Sequence, residues 1–302
     1  MGASAEGLDD GLSLRTEMRR ARRRRLGQLA LRLLNHRSFL IGFVILVFFA
    51  LVAVFADLIA PYLPNKNNYR DVLTPPSAAF WFGTDAFGRD IASRVIHGTR
   101  VSLGIGFYVA LLTGIFGTLL GTLACYVRWL DALVMRTLDG LMAFPGVLLA
   151  IALASALGPS AINSIIALTV AFMPRTARVV RAAVMVVQGT QYVEAAQAAG
   201  AGHGRIIFRY ILANALSPVI VQLTYVFAVS VIAEAILSFL GVGPPPPAPS
   251  LGNIIADGRT YIQEAWWIAV FPGMAIALVV LGLNLIGDGL RDIIDPRQSS
   301  QH

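Results

Sequence analysis

Few residues in this chain of 302 could do chemistry, and their spacing points away from catalysis. The histidines, His36, His97, His203 and His302, are scattered along the chain. The single cysteine, Cys125, lies inside an apolar run, so neither a disulfide framework nor a cysteine metal site is available. Neither H-E-x-x-H nor the phosphate-cradling G-x-x-x-x-G-K-S/T occurs. The sequence therefore assigns no catalytic, cofactor-binding or metal-ligating residue, and reads as a chain that is not an enzyme.

What remains are charges placed where charges are costly. Glu234 sits deep in the apolar stretch AVSVIAEAILSFLGVG and must face protein or water rather than lipid. A residue lining a pathway and a buried structural hydrogen bond both fit it. A lone carboxylate also raises proton coupling, but no relay of further acids or histidines accompanies it. Asp139 begins another apolar segment, where pairing with Arg136 three residues earlier accounts for it. Arg175, Arg178 and Arg181, spaced three apart, share one helical face and are expected to reach the membrane interface. Asp85, Arg89, Asp90 and Arg94 in GTDAFGRDIASR form either an internal salt-bridge set or a contact surface.

The elements that must position these residues follow from composition. The chain is 56% hydrophobic and 14% charged, with mean hydropathy +0.69, whereas soluble domains carry about 25% charged residues. It is expected to be an all-α integral membrane protein. Six runs approach the ~20 residues that span a bilayer: 39–60, 101–127, 138–157, 161–183, 213–241 and 266–288. Residues 1–38 form an arm with nine arginines. The run after it is too long for a signal peptide and has no A-x-A-like site, so it reads as an uncleaved first span. Anionic headgroups and orientation account for the basic arm without nucleic acid.

Six spans with both termini inside put eighteen of the 24 Lys and Arg on the inner side. The outer side keeps Lys66, Arg70, Arg89, Arg94, Arg100 and Arg259, balanced by six acids. Outside lie the long connections 61–100 and 242–265, the second holding the proline stretch GPPPPAPS, expected to be stiff and extended. The tail 289–302 returns inside. GPS at 158–160 makes a tight hairpin between the third and fourth spans. Gly104, Gly106, Gly114, Gly117 and Gly121 form a small-residue stripe in the second span, suited to close helix contact.

The inner connection 184–212 is the least ordinary part. Val193 to Ala199 has high helix propensity, Thr190 stands at the N-cap, and Glu194 falls in the first turn, where a carboxylate suits the helix dipole. Gly200, Gly202 and Gly204 then let the chain turn. A short helix with a small apolar face and few charges, lying at the inner surface, is built to be covered by another protein.

EAAQAAG at 194–200 followed by RIIFRYIL at 205–212 resembles the EAA signature of the membrane subunits of bacterial ABC importers. The matching positions are Glu194, Ala195, Ala196 and Gly200, with Ile211 and Leu212 at the far end; the pattern places proline next, where this chain has Ala213. FGTDAFGRDIASRVIHGTRVSLGIG, MRTLDGLMAFPGVLLAIALASALGP, SFLGVGPPPPAPSLGNIIADGR and FPGMAIALVVLGLNLIGDGLRDIIDPR resemble, in order and spacing, the second permease of dipeptide, oligopeptide and nickel importers, the DppC/OppC type. The likeness runs from about residue 20 to 298.

The resemblance implies a type I ABC importer permease fold, with residues 101–298 as its transmembrane domain, in the inner membrane of a bacterium. It implies a homologous second permease, two ABC ATPase subunits that bind ATP and Mg2+, and an extracytoplasmic solute-binding protein. Glu194, Ala195, Ala196, Gly200 and Gly202 would couple to an ATPase. Arg205 and Arg209 would pair with its acids or with anionic lipid. Asp85, Arg89, Asp90 and Arg94 would touch the binding protein or seal a gate, if they are not an internal set; Glu234, read from its place in the span, would line the pathway if it is not a buried structural hydrogen bond. The expected solutes are di- and oligopeptides, with nickel chelates, glutathione and opines as alternatives. A secondary transporter driven by an ion gradient is the rival class, but it calls for an inverted repeat or a coordinating polar set at mid-membrane, and the sequence has neither.

Overall fold

The computed structural model describes residue 33 and residues 35–294; the basic arm before residue 33 and the tail after residue 294 lie outside the described residues. Among the described residues all regular structure is helical, apart from an isolated bridge between Thr84 and Asp90. This is what lipid requires, because a helix satisfies its own backbone donors and acceptors. The helices are α1 (Arg37–Val54), α2 (Ile91–Tyr126), α3 (Arg128–Met142), α4 (Gly146–Leu157), α5 (Ala161–Gln188), α6 (Gln191–Ala198), α7 (Leu212–Phe239), α8 (Leu251–Gly258) and α9 (Trp267–Ile294). Short turns at Ala56–Ile59, His203–Arg205 and Arg259–Tyr261 and a π-helical turn at Ile206–Ile211 complete the set.

By length and composition four helices can cross a membrane, Arg37–Val54, Ile91–Tyr126, His203–Phe239 and Trp267–Ile293, or five if the bent pair α3 and α4 counts as one span. α5 is 28 residues long, but Arg175, Arg178 and Arg181 keep it out of that group.

The element boundaries differ from the expected spans for local reasons. α2 begins ten residues before the expected 101, because Asp90 caps it: its Oδ2 accepts from the Ser93 amide at 2.7 Å. The expected span at 138–157 is broken, with α3 and α4 meeting at 90°. Pro145 at the break has no amide hydrogen and pushes Phe144 away from helical backbone. GPS does form the expected hairpin: Gly158 has φ +89°, and Asn163 Nδ2 donates to the carbonyls of Leu157 and Gly158, each at 2.9 Å. The proline stretch is not one extended rod, since the chain turns at Pro246 and Pro247, which are joined by a cis peptide.

The charged stripe of α5 also differs from expectation. Arg178 pairs with Asp139, and Arg181 makes a two-pronged pair with Asp131, both contacts 2.7 Å, so these side chains tie α5 to α3 instead of reaching for headgroups. Asp139 is thus engaged across space by α5 and not by Arg136.

α2 is the central post, packed against α5 and α7, while α7 also meets α9 and α9 meets α1. The glycine stripe makes the contacts. A Cβ on Gly106 would meet Phe227 and Val231, one on Gly114 would meet Leu223 at 2.8 Å, and one on Gly117 would meet Thr176 Cγ2 at 2.9 Å. At Gly121 the obstruction is the backbone carbonyl of Ala177 itself. Gly104 faces open space. Gly121→Leu is therefore expected to separate α2 from α5 and to abolish recovery of folded protein in detergent, whereas Gly104→Ala is expected to match the parent chain in yield and in thermal unfolding midpoint. Equal yields from the two variants would count against the stripe as the contact that fixes the fold.

Candidate functional site

The connection between α5 and α7 carries the exposed helix α6. Thr190 occupies the N-cap with extended backbone, but its hydroxyl donates to the Val187 carbonyl at 2.6 Å and does not cap an amide of α6. The C-terminal end is closed by two turn hydrogen bonds, Gly200 N–H to the Gln197 carbonyl at 2.9 Å and Ala201 N–H to the Ala196 carbonyl at 3.0 Å, with Gly200 at φ +78°. This pairing is a Schellman stop, and the left-handed backbone is why glycine stands there.

One side chain of α6 is fully buried, that of Val193. It packs with Val180 and Val184 of α5, Ile206 and Ile211 of the π-helical turn, and Ala215 and Val219 of α7. Glu194, Ala195, Gln197, Ala198, Gly200, Gly202, Arg205 and Arg209 are exposed, Ala196 is half-buried, and Phe208 beside them is 74% exposed. Arg205 and Arg209 form no ion pair among the described residues. The coupling positions expected from sequence are thus all exposed except Ala196. Ala213 produces no break: the helix runs from His203 to Phe239, and Leu212 N–H reaches back to the Ile207 carbonyl as the wide turn hands over to α7. The proline within this helix is Pro218.

At the opposite end, Asp85, Arg89 and Arg94 meet with Asp257 of α8. Asp85 Oδ2 accepts from Arg89 Nε and Arg94 Nη1, both at 2.6 Å, while its Oδ1 accepts from the amides of Phe87 and Arg89. Asp257 Oδ2 accepts from Arg89 at 3.0 Å and from Arg94 at 3.1 Å. Asp90 is not part of this cluster; it is spent on capping α2 through the Ser93 amide and hydroxyl. Asp85 and Arg94 are buried, so the arrangement is an internal network that clamps the 61–90 connection to α8. Trp267 adds to the clamp by donating to the Thr84 carbonyl at 3.0 Å, and Phe82 stacks on Phe271 at 4.1 Å.

Glu234 is fully buried and exposes no surface to a cleft. Ser238 Oγ donates to its Oε1 at 2.6 Å. The hydroxyls of Ser102 on α2 and Ser250 at the N-cap of α8 face the same carboxylate, while its Oε2 has no partner in bonding geometry. α8 is wedged tightly beside it, since a Cβ on Gly98 would meet the Leu251 amide at 3.2 Å and one on Gly252 would strike the Ala235 carbonyl. Glu234 therefore fastens α8 to α2 and α7.

Sequence reasoning placed Arg175 at the end of a span, with its side chain reaching the membrane interface. The structure puts it fifteenth of the 28 residues of α5, between two clefts. The first, about 300 Å³, lies between the α3–α4 break, α5 and α7, and the second, about 230 Å³, between α5, α7 and α9. Arg175, Gln222 and Tyr225 line both. The signal for Arg175 was present, because the same spacing that showed the stripe also puts its first member deepest.

The network around Asp85 and Asp257 yields a stability test. Asp85→Ala leaves two arginines with the partly exposed Asp257 alone as shared acceptor and is expected to cost about 3 kcal/mol, read as a lower unfolding midpoint in detergent. Asp57→Ala removes a carboxylate that is 72% exposed from its contacts with His97 and Arg100 and is expected to leave the midpoint unchanged. Equal midpoints for the two variants would contradict a buried clamp.

Residues 114–300 match the family described as binding-protein-dependent transport system inner membrane component, and residues 19–76 match the N-terminal transmembrane domain of oligopeptide transport permease C. A putative peptide transport system permease protein of Brucella abortus is 53% identical over 89% of this chain and 90% of its own length. The dipeptide transport system permease DppC of Alkalihalophilus pseudofirmus is 45% identical over 86% of each chain. The glutathione transport system permease GsiD of Pectobacterium atrosepticum is 39% identical over 95% of this chain and 94% of its own. Among solved structures, a chain of the inward-facing MetNI methionine ABC transporter superposes with TM-score 0.55 at 21% identity, covering 67% of this chain and 97% of that one, a likeness of fold. A helical membrane body, an exposed loop helix carrying the EAA residues and these matches agree: the chain belongs to the family of inner-membrane permease components of binding-protein-dependent ABC transport systems.

Proposed function

We propose that this chain is one of two permease subunits of an ATP-driven peptide importer in a bacterial plasma membrane. In this reading it supplies half of the translocation pathway for di- or oligopeptides. Six segments cross the bilayer, with α5 and the bent pair α3–α4 included and both termini inside. The three arginines of α5 do not bar it from crossing, because two are neutralised by acids of α3 and the third faces clefts between helices instead of lipid. Peptide as the solute rests on relatives named for peptide and dipeptide transport.

The observation that carries the reading is α6: an eight-residue helix held to the body by one buried side chain, with Glu194, Ala195, Gly200 and Gly202 free to be covered. Two ATPase subunits, binding ATP and Mg2+, dock there and beneath the second permease. Their closure on ATP pulls on the exposed loop, and Val193 passes the load to α5 and α7 together, because its pocket is built from both. These helices line the clefts, so their displacement opens one side and closes the other. An extracytoplasmic binding protein delivers the peptide at the outer end, onto loops that the Asp85–Arg94–Asp257 clamp keeps as one unit.

Reconstituted with its partners, the complex is expected to take up peptide only with ATP and binding protein present. Proton-driven uptake by this chain alone would sink the reading. Glu194→Lys and Gly202→Trp are each expected to reduce ATPase co-purification and uptake about tenfold, the effect of losing about 1.4 kcal/mol at the interface. Membrane insertion should be intact, because both side-chain positions are exposed. Undiminished ATP-driven uptake in both variants would remove α6 as the coupling contact.

A further inference from the structure

The arginine stripe of α5 is treated unevenly. Arg178 and Arg181 each have a carboxylate from α3, while Arg175, one turn deeper, has none within 4 Å among the described residues. Its depth is about 21 Å along the axis from the Ala161 end, within the ~30 Å apolar core of a bilayer. An uncompensated guanidinium there is expensive unless something neutralises it. The available contacts are with Tyr225: the guanidinium carbon lies 4.9 Å from its ring centre, and Nη1 donates to its hydroxyl at 3.4 Å. Asp288 lines the second cleft but makes no ion pair with Arg175.

The neighbouring groups sharpen the chemistry. Gln222 lines the same two clefts, and its Nε2 is buried without a hydrogen-bond partner. The Tyr225 hydroxyl, while accepting from Arg175, keeps its own proton to give. A guanidinium fork, an unused amide N–H and a phenol O–H are all donors. The ligand such a set fits is an acceptor-only group with several lone pairs and a negative charge, which describes a carboxylate. The surrounding wall is apolar, with Phe144, Phe172, Val226 and Val229 beside the donors. The volume of about 300 Å³ is at the lower end of the ~300–1,000 Å³ usual for small-molecule sites.

We propose that Arg175, with Gln222 and Tyr225, is a carboxylate-binding position in the translocation cleft that receives the C-terminal carboxylate of a peptide in transit. This rests on the peptide-importer reading and deepens it by assigning a specificity contact to the permease itself. The site is open and holds one strong donor group, so it binds briefly, as a pathway must. A solute lacking the carboxylate leaves the guanidinium uncompensated at mid-span and meets a higher barrier.

The test uses the assembled transporter with its binding protein in vesicles, and a dipeptide with a free C-terminal carboxylate as the probe. Arg175→Gln is expected to lower uptake about tenfold or more, the loss expected from one charge-assisted contact. ATPase co-purification is expected to be unchanged. Arg175→Lys is expected to recover part of the uptake, because it restores the charge without the fork. A second measurement needs no variant: saturation-transfer NMR on the parent complex without binding protein is expected to show contact with the dipeptide and not with its C-terminal amide. Parent-level uptake by Arg175→Gln, or equal contact of acid and amide, would overturn the site while leaving the transporter reading in place. Failure of the parent complex to import dipeptide with ATP and binding protein would overturn the peptide reading and this proposal with it.

Discussion

The backbone-to-backbone approach of α2 and α5 at Gly117 and Gly121 is the constraint on which the rest of the arrangement depends. Helices in lipid gain little from hiding apolar side chains from one another, so association rests on close packing, and close packing needs the absence of a Cβ. With α2 and α5 locked at this distance, α7 can reach α2 only where Gly106 and Gly114 make room for Phe227, Val231 and Leu223. α9 then follows α7, and α1 follows α9 through the mutual approach of Gly42 and Gly282. The clefts on either side of Arg175 are the space left over once these contacts are made.

Charge is distributed on a second logic. Where the 61–90 connection meets α8, two acids and two arginines are consumed in holding loops to helix ends. Arg100 has a similar task at the end of α1, donating to the carbonyls of Ala53 and Val54. Between α3 and α5 the pairs hold the polar helix that precedes the break against α5. Ion pairs, whether buried like Asp85–Arg94 or exposed like Arg178–Asp139, are weak evidence of net stability, but each fixes which surfaces meet. Against this background, Arg175 in the clefts and Glu194, Arg205 and Arg209 on the exposed loop are among the charges with no ion pair among the described residues.

Much of this was legible in the sequence, and the failures have physical causes. Apolar runs located the helices, and the glycine stripe located the central contact. The start of α2 was missed because Arg94 and Arg100 look like loop residues until their partners, Asp85, Asp257 and Asp57, are found; those partners lie far along the chain or outside the helix, where no periodicity can show them. The break before Pro145 was readable in the sequence AFPG, but a hydropathy count is blind to backbone chemistry. Asp139 was matched to Arg136, its neighbour in sequence, when α5 offered Arg178 across space. That Glu234 must avoid lipid followed from its type and place; that its company is Ser102, Ser238 and Ser250 required the fold. The exposed loop was the best-read part, because short-range signals, alanines followed by glycines, settle a short helix on their own.

The single buried side chain of α6 has a mechanical meaning. A helix fixed through Val193 and otherwise held by its two covalent ends resembles a ball seated in a socket, with the socket cut from α5 and α7. Such a joint carries push and pull along any direction through its centre, yet offers little resistance to rotation about it. In the proposed importer, a subunit seated on α6 therefore tilts as it closes without twisting the membrane helices, and the translational part of its motion is what reaches them.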